Sequence, residues 1–462
     1  MIVVEGCAVA TVDAAGTEYA TGHVVIDRDR IVAVGPGPAP RVDGSVRRVD
    51  GSGCLATPGL VNTHHHLYQW ATRGLAQQRD LFGWLTELYP VWSGIDEELV
   101  GAAAGAGLAW LALSGCTTST DHHYVFPRGG GDVFAAAVAA ATEVGLRFHP
   151  CRGSMDLGVA SGGLPPDQIV EETEAALVAT EEAIDRYHDP EPGAMVRVAV
   201  APCSPFSVTS KLMTEAAALA RRRGVRLHTH LAETVEEEQF CRERHGCTPA
   251  EYAERLGWLG DDVWLAHAVH LSPAAVARFG ATGTGVAHCP SSNARLGAGI
   301  APVRDLVAAG APVGLGVDGP ASHEAGQLGA ELRQALYLAR LRGGAAAQSA
   351  RVVLALGTMG GARCLGRAGE LGSLEPGKLA DLALWRLDGL GHAGIDDPVA
   401  ALVFGAPAPI ELLLVGGREV VARGELRTAD AGALTRRAER AHRRLVTGTV
   451  RCRRCRVAWW RR

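Results

Sequence analysis

Residues 57–66 have the sequence TPGLVNTHHH, a short apolar segment that ends in three consecutive histidines. The apolar residues after Pro58 predict a buried strand with the histidines at its carboxyl end. Because side chains alternate along a strand, His64 and His66 point to one side and His65 points to the other. We therefore expect His64 and His66 to bind one ion together, without His65.

Seven further segments have the same pattern of a short apolar strand next to an Ala- and Leu-rich helical stretch. The eight strand candidates lie at residues 59–64, 117–122, 146–151, 196–203, 225–231, 263–269, 284–290 and 312–318. Eight such units within about 260 residues predict an α/β fold with a (β/α)8 TIM barrel. The uncharged stretch from Leu99 to Thr120 fits a buried helix that continues into a strand better than a membrane span.

Short strands separated by Gly, Pro and Asp turn signals lie on both sides of the predicted barrel. The N-terminal part, residues 1–57, contains the apolar segments MIVVEG, GHVVIDRDRIVAVG and CLATPG, and similar segments return at residues 369–430. We expect both chain ends to form one small β-sandwich domain, interrupted by the barrel at residues 58–368. Residues 431–462 predict a C-terminal helix followed by an Arg-rich tail.

Composition and charge restrict the class of protein. The chain has 462 residues, 47% of them hydrophobic, and a formal net charge of −5. These values exclude a disordered or coiled-coil protein and argue against a nucleic-acid or membrane partner. The segment MIVVEGCAV has no export-signal pattern, and the 11 scattered cysteines are typical of reduced core thiols. We expect a cytoplasmic protein with a small-molecule partner, and homo-oligomer formation stays open.

Polar residues follow other predicted barrel strands at the same end. The fifth strand carries His228 and His230 and is followed by Glu233, the sixth contains His267, and the eighth ends in Asp318. The carboxyl ends of barrel strands meet at the face that carries catalysis in this fold. Three imidazoles and one carboxylate suit zinc, with iron as the alternative, and leave one position for a water molecule. The sequence therefore predicts one divalent metal ion at this face.

The motifs at these strand ends resemble the amidohydrolase superfamily. His64-x-His66, His230-x-x-Glu233, LAHAVHLS at 265–272 and GLGVDGPAS at 314–322 are similar to its mononuclear aminohydrolases, which include guanine, 8-oxoguanine, adenosine-type and triazine deaminases. TPGLVNTH and SLEPGKLADLAL also match the family's barrel entry and returning β segment. The resemblance implies four metal ligands, namely His64, His66, His230 and Asp318. Other histidines are expected to pack or to support this site, namely His122, His123, His228, His270 and His288.

The resemblance also implies catalytic roles. Glu233 becomes the proton shuttle, His267 polarises the nucleophile or the intermediate, and Asp318 accepts a second proton. Binuclear members of the superfamily bridge two metals with a carboxylated lysine, and this chain has only Lys211 and Lys378, neither at a barrel strand end. One metal, and with it deamination, is therefore favoured over amide or phosphoester hydrolysis.

The predicted substrate depends on a further motif next to the first strand. Gln69 follows His66 in a His-x-His-x-x-Gln spacing that resembles guanine deaminases, where the glutamine amide binds the purine. The segments HHHLYQWATRG and STDHHYVFP resemble bacterial 8-oxoguanine deaminases. We expect Gln69 and His267 to bind substrate. The aromatic residues Phe82, Trp84, Tyr89 and Trp92 either cover this pocket or pack a helix on the barrel.

These residues predict a hydrolase of carbon–nitrogen bonds in cyclic amidines. The expected reaction is metal-dependent deamination of a purine-type base, with conversion of 8-oxoguanine to urate and ammonia as the first hypothesis. A guanine deaminase or an s-triazine or adenosine-type aminohydrolase is the alternative within the family. A catalytically silent barrel that only binds a metabolite is the alternative from another class, and Glu233 beside a metal site argues against it.

Overall fold

The central unit of the protein is a closed barrel of eight parallel strands. The structure is a computed structural model that describes residues 1–41 and 44–453, with side chains up to residue 447. The barrel strands, numbered one to eight in chain order, are Leu60–Asn62, Cys116–His123, Arg147–Ser154, Ala199–Pro202, Leu227–Leu231, Val263–His267, Gly285–His288 and Val313–Leu315. Each falls on a predicted strand segment, and strand eight pairs with strand one to close the barrel. The predicted TIM barrel is confirmed.

Helices surround the barrel and connect its strands. The α-helices are Leu81–Trp92, Glu97–Leu113, Val133–Val144, Thr173–Tyr187, Ser210–Arg223, Val235–His245, Pro249–Arg255, Pro273–Thr282, Pro290–Arg295, Val303–Ala308, Leu328–Gly343, Ala350–Ala355, Gly361–Cys364, Pro398–Phe404 and Ala431–Arg453. The uncharged stretch from Leu99 forms the expected buried helix that leads into strand two. The Asp96 side chain accepts a hydrogen bond from Leu99 N and caps this helix. No helix in the described ranges is long and apolar enough to span a membrane.

The two chain ends form a separate nine-stranded sheet. Its N-terminal strands are Ile2–Ala10, Glu18–Asp27, Arg30–Pro36, Arg47–Asp50 and Cys54–Pro58, and its C-terminal strands are Leu382–Arg386, Ile410–Val415, Arg418–Ala422 and Glu425–Leu426. Cys54–Pro58 pairs antiparallel with Leu382–Arg386, so the sheet joins both ends of the chain. The small β domain from both ends is confirmed as a fold element. Its exact boundaries stay a prediction, and the end of the Arg-rich tail lies outside the described residues.

One apolar segment of the sequence folds as a hairpin. GHVVIDRDRIVAVG turns between Asp27 and Arg30, which pair across the two strands. Arg28 in this turn has φ +54°, a conformation that two-residue hairpin turns require and that Asn or Gly adopts more readily. The turn therefore lacks the Asn or Gly from which such hairpins are usually predicted.

The terminal sheet packs at the amino-terminal end of the barrel strands. Arg147, the first residue of strand three, is buried and forms two hydrogen bonds to Asp381, at 2.8 and 3.0 Å. The ring of Trp385 in the sheet lies against Gly115, the residue before strand two. The sheet does not cover the opposite, carboxyl-terminal end of the barrel, where the loops that carry the histidines lie.

Candidate active site

The polar residues predicted at the strand ends come together at the carboxyl-terminal end of the barrel. Nε2 of His66 lies 3.0 Å from Nε2 of His230. Asp318 Oδ1 lies 3.4 Å from Nε2 of His64 and 3.3 Å from Nε2 of His66. His65 lies beside the helix Glu97–Leu113, next to Gly107, because the strand turns its side chain away from the barrel interior.

Hydrogen bonds fix the ring orientation of two of these histidines. Nδ1 of His66 lies 2.7 Å from the carbonyl oxygen of His122, and Nδ1 of His230 lies 2.6 Å from that of Cys203. A carbonyl only accepts, so both Nδ1 atoms donate. Burial lowers the pKa of His230 well below its ordinary value, and burial likewise lowers the pKa of His66, so both rings are neutral. Their Nε2 lone pairs therefore face each other.

His64 is oriented by a second histidine behind it. Nδ1 of His228 donates to the carbonyl oxygen of Trp264 at 2.8 Å, and burial lowers the pKa of His228 to about 3. Nε2 of the neutral His228 must therefore accept the hydrogen bond from Nδ1 of His64, at 2.8 Å. Nε2 of His64 is left with a buried lone pair that has no hydrogen-bond partner in the described part of the chain.

This set of acceptors fits a divalent cation. Three imidazole lone pairs and the Asp318 carboxylate converge, and the pairs His66–His230, His66–Asp318 and His64–Asp318 are 3.0, 3.3 and 3.4 Å apart. Acceptors that face each other at this distance repel unless a cation lies between them. Ligand atoms around a tetrahedral zinc with bonds of ~2.0–2.1 Å lie roughly 3.3 Å apart, which matches these distances. His122 stacks on His230 with ring centroids 4.7 Å apart, and its Nε2 donates to the carbonyl oxygen of Ala201 at 2.8 Å.

Glu233 and His267 lie beside these acceptors. His267 Nε2 is 3.5 Å from Glu233 Oε2 and 4.0 Å from Asp318 Oδ2. Nδ1 of His267 donates to the side-chain oxygen of Asn293 at 2.9 Å, which fixes the ring with its Nε2 toward the two carboxyl groups. Burial raises the pKa of Glu233 well above its ordinary value, and the negative charge of Asp318 raises it further. Both effects favour the protonated form of the Glu233 carboxyl group.

Asp318 stays ionised in the same environment. Burial raises its pKa, but the adjacent His64, His267 and His66 rings outweigh this effect and hold the pKa well below its ordinary value. Ser292 Oγ donates to Asp318 Oδ2 at 2.5 Å, and the Gly319 amide donates to Oδ1 at 2.6 Å. The site thus holds one carboxyl group that can give a proton and one carboxylate that can accept one.

The backbone is strained where these side chains leave the barrel. His267 has φ +72° and Asp318 has φ +61°, although neither is glycine. Ala232 and Ala268, next to the site, have φ +54° and +47°. Left-handed conformations of residues with a Cβ persist where the surrounding structure holds them, and they concentrate at functional sites.

The site opens into a narrow pocket at the carboxyl-terminal end of the barrel. Gln69 lines it and is fully buried, and neither side-chain amide atom of Gln69 has a hydrogen-bond partner among the described residues. A methyl group at Gly319 would overlap Gln69 Oε1, so the glycine leaves the space that the amide occupies. The structure therefore places Gln69 with the other predicted site residues, with both its donor and its acceptor available.

The helix Leu81–Trp92 forms one wall of this cavity. Leu81, Trp84, Leu85 and Tyr89 line it. Trp92 instead packs on Trp84, with ring centroids 5.1 Å apart, and is fully buried. Phe82 packs on Phe206 at 4.9 Å. Phe82 and Trp92 therefore meet the packing expectation, whereas Trp84 and Tyr89 form a wall of the pocket.

Comparison with known proteins identifies the family. The sequence pattern of the amidohydrolase family matches residues 55–420, which contain the whole barrel and all residues of the site. The chain belongs to the amidohydrolase family. The resemblance noted in the motifs is thereby confirmed over most of the chain.

Several relatives of this amidohydrolase act on nitrogen heterocycles. The chain is 46% identical over 432 residues to 8-oxoguanine deaminase from Pseudomonas aeruginosa, and the match covers 93% of this chain and 96% of the relative. It is 36% identical to hydroxydechloroatrazine ethylaminohydrolase from Pseudomonas sp. strain ADP, over 95% of this chain and 94% of that protein. The crystal structure of atrazine chlorohydrolase from Arthrobacter aurescens TC1, complexed with zinc, has a TM-score of 0.91 at 35% identity, and the match covers 96% of this chain and 100% of the other.

These findings confirm the predicted enzyme class. The amidohydrolase is a metal-dependent hydrolase of carbon–nitrogen bonds in cyclic amidines, with a small molecule as its partner. The role of each site residue stays a prediction. Sequence analysis missed Asn293 and Ser292, because neither lies in a motif with its partner. The hydrogen bond between His228 and His64 agrees with the expectation that His228 packs or supports the site.

Proposed function

We propose that this amidohydrolase is a zinc-dependent deaminase that converts 8-oxoguanine and water to urate and ammonia. The observation that carries the proposal is the convergence of buried imidazole lone pairs and Asp318 beside Glu233, a carboxyl group whose pKa is raised by burial, at the end of a small cavity. The 46% identity to an 8-oxoguanine deaminase over nearly the whole chain supports the choice of substrate.

In this proposal four residues hold the metal ion. They are His64, His66, His230 and Asp318. When bound, zinc lowers the pKa of a water molecule toward ~7 and so supplies a nucleophile at neutral pH. The hydrogen bonds behind the imidazoles keep their Nε2 lone pairs aimed at one point and fix their tautomers.

Three residues of the chain carry the protons and charge. Glu233 gives its proton to the ring nitrogen next to the carbon that bears the amino group, which makes that carbon electrophilic. Asp318, which is ionised and lies beside His64 and His66, accepts a proton from the attacking water and passes it to the amino group, which leaves as ammonia. Glu233 regains its proton from the hydroxyl group that becomes the new carbonyl. His267 faces both carboxyl groups and stabilises the charge that develops before ammonia leaves.

Gln69 binds the lactam edge of the base in this proposal. Its amide offers one donor and one acceptor, which match the N–H and C=O of a lactam. Both atoms are buried without a protein partner in the described residues, so a substrate that lacks the lactam would leave them unpaired. Trp84 and Tyr89 wall this pocket, and their flat aromatic faces suit a planar base.

The test is ammonia release from a panel of heterocycles by the purified, zinc-loaded protein. The panel contains 8-oxoguanine, guanine, isocytosine, isoxanthopterin, adenosine and hydroxyatrazine, with release of an alkylamine measured for the last. We expect the highest kcat/KM for 8-oxoguanine, followed by guanine. Faster turnover of adenosine or hydroxyatrazine would refute the proposal that 8-oxoguanine is the substrate. No turnover of any compound would favour a metabolite-binding barrel.

The cellular setting is part of the same proposal. The nine cysteines that the structure describes are all buried and unpaired, which is typical of a reducing compartment such as the cytoplasm. Cell fractionation would test this location. A homo-oligomeric state stays a prediction that size-exclusion chromatography with light scattering would test.

A further inference from the structure

The loop after barrel strand five contains an unusual turn. The strand ends at Leu231, and Ala232 follows with φ +54°, a conformation that favours glycine. Glu233 is the next residue, and its side chain lies in the cavity beside His267. The direction of the Glu233 side chain therefore depends on a backbone conformation that alanine does not adopt readily.

A single carboxylate holds this turn. Oε1 of Glu237 accepts a hydrogen bond from Ala232 N at 2.8 Å, and Oε2 accepts one from Glu233 N at 2.9 Å. Glu237 lies in the first turn of the helix Val235–His245 and is fully buried. Its two oxygens thus bind the amides of the two consecutive residues that form the turn.

This arrangement differs from ordinary helix capping. Thr234 is the N-cap of this helix, and Glu237 is the third helical residue. In a capping box the glutamate at this position bonds to the amide of the N-cap itself, as Glu251 does to Thr248 in the next helix. Glu237 instead reaches past the N-cap to the two residues before it. Its bonds therefore fix the loop that carries Glu233.

The turn is also connected to the loop after barrel strand six. The carbonyl oxygen of Ala232 accepts hydrogen bonds from the amides of Val269 and His270, both at 2.9 Å. These residues follow His267 and Ala268, whose φ values are also positive. The conformation at Ala232 thus affects the relative position of Glu233 and His267.

We propose that Glu237 is a positioning residue that holds the turn at Ala232 and so aims the Glu233 carboxyl group at the substrate and at His267. This inference rests on the proposed function, in which Glu233 carries the proton. Glu237 does not line the cavity and acts through the backbone of Glu233.

The test combines Glu237→Gln with a change at the turn itself. The side-chain amide that Glu237→Gln introduces would place an N–H against a backbone N–H, so one of the two hydrogen bonds would be lost. We expect kcat to fall about 10- to 100-fold with KM and zinc content unchanged, because small displacements of a reacting group cost about this much. Ala232→Gly in the same chain should restore kcat at least about fivefold, because glycine adopts the turn without support.

Control variants separate this role from charge, capping and folding. Glu236→Gln changes an exposed neighbour, and Glu251→Gln weakens an ordinary capping box, so both should keep kcat within about twofold of the wild type. Glu237→Asp keeps the charge but shortens the reach, and it should lose activity as Glu237→Gln does. Wild-type kcat in Glu237→Gln or Glu237→Asp, a loss that follows zinc content, or no recovery with Ala232→Gly would each overturn the inference.

The assays use whichever panel compound turns over fastest, so an error in the proposed substrate does not affect them. Glu233→Gln is measured in parallel. An inactive Glu233→Gln with a fully active Glu237→Gln would refute the positioning role and leave the proposed function intact. A fully active Glu233→Gln would refute the proton-carrying role of Glu233 and, with it, the inference about Glu237.

Discussion

The two ends of the barrel use buried polar groups in opposite ways. At the amino-terminal end, Arg147 and Asp381 bond to each other, and Asp381 accepts a further bond from the Gly416 amide. At the carboxyl-terminal end, Nε2 of His64 and both amide atoms of Gln69 are buried without a hydrogen-bond partner among the described residues. Buried polar groups without partners cost stability, whereas paired ones secure the fold. The amino-terminal end therefore joins the barrel to the terminal sheet. The carboxyl-terminal end keeps the unpaired atoms of His64 and Gln69 available to ligands.

The largest expected effect comes from removing two of the unpartnered rings. We expect one zinc per wild-type chain and less than ~0.1 per chain in His64→Ala/His66→Ala, with loss of activity, because two of the four proposed ligands are gone. Elemental analysis after gel filtration measures this. His65→Ala is the matched control and should keep its zinc. Full zinc content in the double variant, or two tightly held metals in the wild type, would contradict the proposed site.

The opposite end should respond in stability and not in chemistry. Arg147→Met leaves the Asp381 carboxylate buried without its partner, which should lower the free energy of unfolding by about 3–5 kcal/mol. Urea unfolding of the zinc-loaded protein measures this, and kcat at a temperature where the variant is folded should stay within about twofold of the wild type. Arg351→Met removes a half-exposed ion pair and should cost less than about 1 kcal/mol. A kcat defect in folded Arg147→Met would show that the two ends are coupled.

Glu233→Gln should affect chemistry without affecting metal binding. The amide keeps the shape of the side chain but cannot carry the proton, so kcat should fall at least about 100-fold with zinc content unchanged. Steady-state kinetics and elemental analysis of the same sample measure both. Activity within tenfold of the wild type would assign the proton to another group.

Gln69→Leu should have the smallest effect of the four. Loss of the lactam contacts should raise the activation free energy for 8-oxoguanine by roughly 1–3 kcal/mol, which lowers kcat/KM about 5- to 150-fold. Zinc content should stay unchanged. Gln78→Leu, a change at an exposed glutamine, is the control. Equal kcat/KM in Gln69→Leu and wild type would remove Gln69 from the substrate pocket.

The barrel and the residues at its strand ends could be predicted because both depend on local periodicity. Alternation along strand one separates His65 from His64 and His66, and the closure of eight parallel strands brings distant strand ends to one face. The hydrogen-bond partner of His228 could not be assigned in this way. Its partner, His64, is 164 residues away, and the bond depends on how strands one and five face each other across the barrel.

Helix packing was the second limit of prediction. The spacing of aromatic residues in the helix Leu81–Trp92 indicated a buried face, but a buried face can contact either core or cavity. Trp84 and Tyr89 contact the cavity and Trp92 does not, which depends on the angle at which the helix crosses the barrel end. Glu237 was missed for a related reason, because its spacing from Thr234 predicts an ordinary capping box.

The close approach of Gly319 to Gln69 has a consequence for how this enzyme can evolve. A Cβ at position 319 would overlap Gln69 Oε1, and Gln69 is fully buried, so its amide has little room to move away. Any larger residue at 319 must therefore be preceded by a smaller one at 69. A change of substrate preference at Gln69 and Gly319 therefore requires two substitutions in a fixed order. In relatives with a different residue at one of these positions, we expect the other position to differ as well.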